Sequence, residues 1–171
     1  MAVGNLEFIK SVTASSVTSV DITDCFSANY DVYKIIIRGA SSTGAGGIDL
    51  RFINSSGTTI STANYDRAGL QMRSYGSFIE YRATNDNELQ LYCYSVEDGG
   101  AESVGYIYNP YSSDYTFSLN QVSSYVDASG GTGWKNIGVL KLTDTITGFN
   151  LFNSSVAFSI DEVSVYGLAS N

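Results

Sequence analysis

Hydrophobic and polar positions alternate with a period of two along much of the chain, the signature of half-buried β-strands. Residues 31–39 show it most clearly. Tyr33, Ile35 and Ile37 fall on one face, and Lys34, Ile36 and Arg38 on the other. Residues 48–54 repeat the pattern, with Ile48, Leu50 and Phe52 inward and Asp49 and Arg51 outward. Further strands are predicted over residues 6–12, 17–22, 58–62, 78–82, 88–96, 103–108, 115–122, 134–142, 146–152 and 157–166. Val163 and Val165 share a face in the last of these. Residues 65–76 show no clean period. Turn chemistry separates the strands. Residues 13–16 read as a hairpin or bend, 54–57, 84–87 and 97–100 as turns, and the Gly-rich 41–47 and 130–133 as loops.

The rhythm of short strands predicts an all-β chain. The expected fold is a single antiparallel β-sandwich, jelly-roll-like, of about ten strands with little or no helix. Composition agrees, since β-branched and aromatic residues are abundant and the only proline is Pro110. A length of 171 residues suits one domain over 1–171, with 1–25 read as a candidate N-terminal docking segment plus the first strands.

The net charge of −8 argues against nucleic acid as a partner, because phosphate binding needs clustered Lys and Arg. No stretch approaches the 18 apolar residues of a membrane-spanning helix, so no membrane insertion is expected. The N-terminus lacks a basic segment followed by an apolar core, which predicts a chain made in a cytoplasm. Cys25 and Cys93 fit no metal-site spacing and are expected to be reduced structural thiols, although one disulfide between them stays open.

Histidine is absent from the chain. That removes the Ser-His-Asp triad, His-paired cysteine catalysis and His-containing zinc sites. No phosphate-binding Gly-x-x-x-x-Gly-Lys-Ser/Thr motif is present, and Gly44-Ala45-Gly46-Gly47 reads as a turn. Polysaccharide hydrolysis by paired carboxylates needs no histidine, and Asp161–Glu162, Glu97–Asp98 and Asp86 with Glu88 are the close pairs. Neighbours on a strand face opposite sides, so solvated surface charge is the simpler reading. No cofactor is expected. Calcium is the weak alternative, since Asn85-Asp86-Asn87-Glu88 groups four oxygen donors, though without EF-hand spacing; an Asx-rich turn is the simpler reading.

The 13 tyrosines are the most suggestive feature. Tyr92 and Tyr94 share one strand face, Tyr106 and Tyr108 another, and Tyr111, Tyr115 and Tyr125 lie nearby in sequence. Tyrosine buries a ring yet keeps a wet hydroxyl, so it serves interfaces and sugar-binding surfaces as well as cores. Tyr92, Tyr94, Tyr106, Tyr108, Tyr111 and Tyr125 are the candidate surface contacts.

Several ordered segments carry a family resemblance. They are Phe26-Ser-Ala-Asn-Tyr-Asp-Val-Tyr-Lys-Ile-Ile-Ile37, Asp49-Leu-Arg-Phe52, Asn64-Tyr-Asp66, Ile107-Tyr-Asn-Pro-Tyr111 and Val163-Ser-Val-Tyr-Gly167. In this order they resemble small β-sandwich virion proteins of tailed bacteriophages, notably marine cyanophages. Residues 70–100 match least. The resemblance implies a phage structural protein on the virion surface, a capsid decoration or tail-fibre-type module without catalytic residues. Its implied partners are other virion proteins and further copies of itself, with a trimer as the expected homo-oligomer. The alternative is a receptor-binding module that grips a host-surface glycan.

Overall fold

The computed structural model describes residues 5–42, 44, 46–95, 100–126 and 130–169. They form twelve β-strands and no helix: β1 (Leu6–Val17), β2 (Ser19–Ile22), β3 (Val32–Ser42), β4 (Gly46–Asn54), β5 (Tyr65–Arg73), β6 (Ile79–Asp86), β7 (Leu89–Ser95), β8 (Ala101–Tyr108), β9 (Thr116–Val126), β10 (Gly130–Leu140), β11 (Ile146–Phe152) and β12 (Phe158–Leu168). An eight-stranded sheet runs β1-β12-β3-β8-β9-β10-β5-β6, and a four-stranded sheet runs β2-β11-β4-β7. All of the strand pairings are antiparallel.

One hydrophobic cluster lies between the sheets. Tyr33, Ile35 and Ile37 of β3 and Val163 and Val165 of β12 come from the larger sheet; Ile48, Leu50 and Phe52 of β4 and Phe149 and Leu151 of β11 come from the smaller. The alternation expected for β3 and β4 therefore holds. Two tyrosines brace this core through their hydroxyls. Tyr65 Oη donates to Ile60 O (2.9 Å) and accepts from Phe52 N (3.0 Å). Tyr33 Oη donates to Ser27 O (2.8 Å) and accepts from Ser27 N (2.7 Å).

The structure differs from the sequence reading where polar, flexible segments meet a partner strand. Residues 13–16 are not a hairpin. They continue β1 along β12 through register shifts, with Ser16 at φ 51°. Such bulges absorb unpaired residues while the ladder continues. The chain bends at Thr18 and passes from the larger sheet to the smaller, so residues 6–22 supply an edge strand to each sheet. Most of the predicted loop 41–47 belongs to β3 and β4, and residues 130–133 open β10, because both segments pair in register with neighbours. Residues 58–62 make only an isolated bridge, Ile53 to Thr59. The aperiodic 65–76 region holds β5, whose two faces are both partly polar.

Strand β7, an edge of the smaller sheet, is pinned onto the larger one. The ring of Tyr92 lies over Gly105 of β8, and Leu89 lies over Gly138 of β10. A Cβ at either glycine would collide with these side chains. The carbonyl of Tyr92 also accepts from Ser103 Oγ (2.7 Å) and Asn120 Nδ2 (3.0 Å). With only four strands facing eight, the polar inner positions of β5 beyond Tyr65, such as Gln71 and Arg73, lie outside the apolar core.

Candidate functional site

Beside β7 the unequal sheets leave a cleft of about 340 Å³, lined by Gly47, Asp49, Gln71, Arg73, Tyr81, Gln90, Tyr94 and Trp134. The lining comes from five strands, β4, β5, β6, β7 and β10. Trp134 is buried, and its indole meets the Tyr94 ring at a centroid distance of 4.5 Å and a tilt of 32°. Gln71 is buried and organises the floor. Its Oε1 accepts from Arg73 Nη2 (2.9 Å) and Tyr81 Oη (2.8 Å), and its Nε2 donates to Thr132 Oγ1 (3.0 Å). Gln90 Nε2 donates to Glu88 Oε1 (3.2 Å). Trp134 Nε1 and Arg73 Nε are buried donors with no acceptor among the described residues. Burial raises the Tyr94 phenol above its ordinary pKa, so it stays protonated.

The second feature is the outer face of the eight-stranded sheet. Register places Phe8, Tyr166, Lys34, Tyr106, Leu119, Ile137, Ala68 and Arg82 in one row across it. The adjacent row reads Leu6, Leu168, Val32, Tyr108, Phe117, Val139 and Asp66. On the other side, Ile36, Val104 and Leu70 add apolar positions between polar ones. Phe8 is 59% exposed, Ile137 58% and Phe117 46%. Exposed apolar surface on this scale marks an interaction site more often than chance exposure.

The candidate tyrosines separate accordingly. Tyr92 is corrected: at 1% exposure it cannot be a surface contact, because its ring fills the space above Gly105. Tyr94 reaches the cleft. Tyr106 and Tyr108 lie on the outer face with stacked rings, centroids 6.5 Å apart. Tyr111 is exposed in the turn after β8, and Tyr125 is exposed near the end of β9. Trp134, Tyr81, Gln71, Arg73 and Gln90 escaped the sequence reading. None forms a motif, and only the pairing of distant strands assembles them.

Three of the acidic groups considered for catalysis or calcium, Asp86, Glu88 and Glu162, are held by basic partners. Arg67 Nε contacts Asp86 Oδ2 (2.7 Å), Arg51 Nη2 contacts Glu88 Oε2 (2.9 Å), and Arg38 pairs with Glu162. Asn85 Oδ1 accepts from Lys141 Nζ (2.7 Å). Glu97 and Asp98 lie outside the described residues. Cys25 and Cys93 are buried free thiols, and burial pushes each up to about 12.

Neither known protein families nor curated proteins give a match to the chain. Among solved structures, the chain is similar to a protein described as DNA-binding from Ralstonia eutropha JMP134, with 9% identity, 77% of this chain and 60% of that one covered, and a TM-score of 0.24. A fructofuranosidase from Schwanniomyces occidentalis gives 7% identity, coverage of 96% and 34%, and a TM-score of 0.27. The enzymatically active domain of tailspike protein 4 of bacteriophage CBA120 gives 10%, 92% and 18%, and 0.19. The chain thus spans under two thirds of each, and TM-scores this low carry no argument about fold or function.

Proposed function

We propose that the chain is a non-catalytic structural protein of a tailed-phage virion, a surface decoration or appendage with a jelly-roll-like sandwich fold. The alternation of β1 to β5 between the two sheets supports the jelly-roll reading. The observation that carries the functional reading is the apolar outer face of the larger sheet. At ordinary strand spacing, eight strands and three rows cover roughly 35 Å by 20 Å, on the order of 700 Å². That approaches the roughly 800 Å² that each partner buries in a standard interface.

The occupant we assign to this face is a second copy of the chain. The protein is strongly acidic, and like charge opposes self-association wherever acidic surfaces meet. On the three rows the charged residues are Lys34, Arg82 and Lys135 against Asp66 and Glu80, and Lys141 Nζ pairs with Asp66 (2.7 Å). Basic residues outnumber acidic ones on this face, so two copies can meet there in spite of the acidic chain.

Mass spectrometry of purified virions from the encoding phage tests the location, with the protein expected at stoichiometric copy number. Virions that lack it would end the reading. Light scattering of the purified chain tests the occupant. A strict monomer at high micromolar concentration would point to a different virion protein on this face.

A further inference from the structure

We propose that the cleft beside β7 is a binding site for a neutral saccharide, a hexopyranose unit of a surface polysaccharide. The site is separate from the outer face, so it does not depend on how the protein assembles. Its volume of about 340 Å³ sits at the small end of ligand pockets, which span about 300–1,000 Å³.

The chemistry of the lining selects the ligand. A pyranose has an apolar C–H face and a rim of hydroxyls that both donate and accept. Tyr94 and Tyr81 are half-buried and offer ring surface for the C–H face. Arg73 and Gln90 bring donors to the lining of the cleft, and Asp49 brings an acceptor. The hydroxyl rim of a pyranose matches this mixture of donors and acceptor. Gln71 already holds the Arg73 guanidinium through Nη2, and Thr132 and Tyr81 hold Gln71, so the donors are fixed before a ligand arrives.

The same lining disfavours other classes. Asp49 lines the cleft together with Arg73, so a uronate or phosphate would meet a carboxylate there. A nucleotide would also stack on an aromatic ring, but it would bring its phosphates to a chain of net charge −8.

The chain contains a single tryptophan, Trp134, so its fluorescence reports on this cleft directly. The experiment titrates the purified protein with neutral gluco-, galacto- and manno-hexaoses, with a hexagalacturonate as the acidic arm, each to about 10 mM, beyond the millimolar range of weak binding. A saturable change in Trp134 emission with at least one neutral hexaose is expected. Arg73→Ala and Gln90→Ala should each weaken that binding about tenfold while the melting temperature stays within a few degrees, and Ile137→Asp on the outer face should leave it unchanged. No saturable change with any neutral hexaose would overturn the proposal. So would binding confined to the galacturonate, or binding lost in Ile137→Asp and retained in the cleft variants. Virion incorporation does not enter these readouts, so failure here leaves the structural reading standing.

Discussion

The ring of Tyr92 rests on the bare backbone of Gly105, and the two residues lock an edge strand of the small sheet onto the middle of the large one. A methyl group at position 105 has no room, because the atoms it meets belong to a fully buried ring. Gly105→Ala should cost about 1–3 kcal/mol, the usual penalty for overpacking a core. Combining it with Tyr92→Leu should recover part of that loss, which a double-mutant cycle in urea would read as coupling. Simple additivity would show that the contact does not hold β7.

Strands with one apolar face could be read directly from the sequence. Tyr33, Ile35 and Ile37 announce β3, and Ile48, Leu50 and Phe52 announce β4, because the core demands one residue type at every second position. The Gly- and Ser-rich ends of β3, β4 and β10 were hidden. Their pairing comes from neighbours far away in sequence, which local propensity does not record. Tyr92 misled for a related reason. Its type suits a surface, and only the glycine on β8 makes a buried place for it. The cleft was invisible because Gln71, Tyr81, Gln90 and Trp134 meet only once four strands have paired.

Tyr65 offers a test of buried polar satisfaction. Its hydroxyl serves both Ile60 O and Phe52 N, and burial drives its pKa upward. Tyr65→Phe should leave a donor and an acceptor unmet and lower stability by about 1–3 kcal/mol in chemical denaturation. A change below about 0.5 kcal/mol would mean that other groups replace the hydroxyl.

Outer-face substitutions should separate assembly from folding. Phe117→Asp and Ile137→Asp place a charge on exposed positions and should move stability by no more than about 0.5 kcal/mol. Sedimentation velocity should show that each variant shifts the protein toward monomer. An unchanged oligomer in both variants would remove this face from the contact.

Acid stability should depend on two carboxylates. The hydrogen bond from Lys141 and the Asn85 amide hold Asp66 below its ordinary pKa; the Ser164 hydroxyl and then Arg38 do the same for Glu162. The folded chain thus gives up these protons more readily than the unfolded one. Their stabilisation is complete above the ordinary carboxylate range near pH 4 and is lost as pH falls through the lowered folded values. The urea midpoint should hold steady from about pH 7 to pH 5 and then decline below about pH 4. Asp66→Asn with Glu162→Gln should flatten that decline, and an unchanged acid limb would exclude them as its source.

The thiols predict the opposite limb. Cys25 and Cys93 are pushed up to about 12 by burial, while an unfolded thiol ionises near 8.5. Their contribution is intact below that unfolded value and disappears as pH rises toward the folded one. In native protein at neutral pH, an aromatic disulfide reagent should label neither cysteine within hours, and both should react at once in denaturant. Rapid native labelling would contradict their burial.

The mismatch of eight strands against four has an evolutionary consequence. Asp49, Gln71, Arg73 and Gln90 lie outside the hydrophobic cluster that holds the sheets together. Descendants of this sequence could therefore rewrite what the cleft recognises while the scaffold stays the same, changing appetite without relearning how to fold.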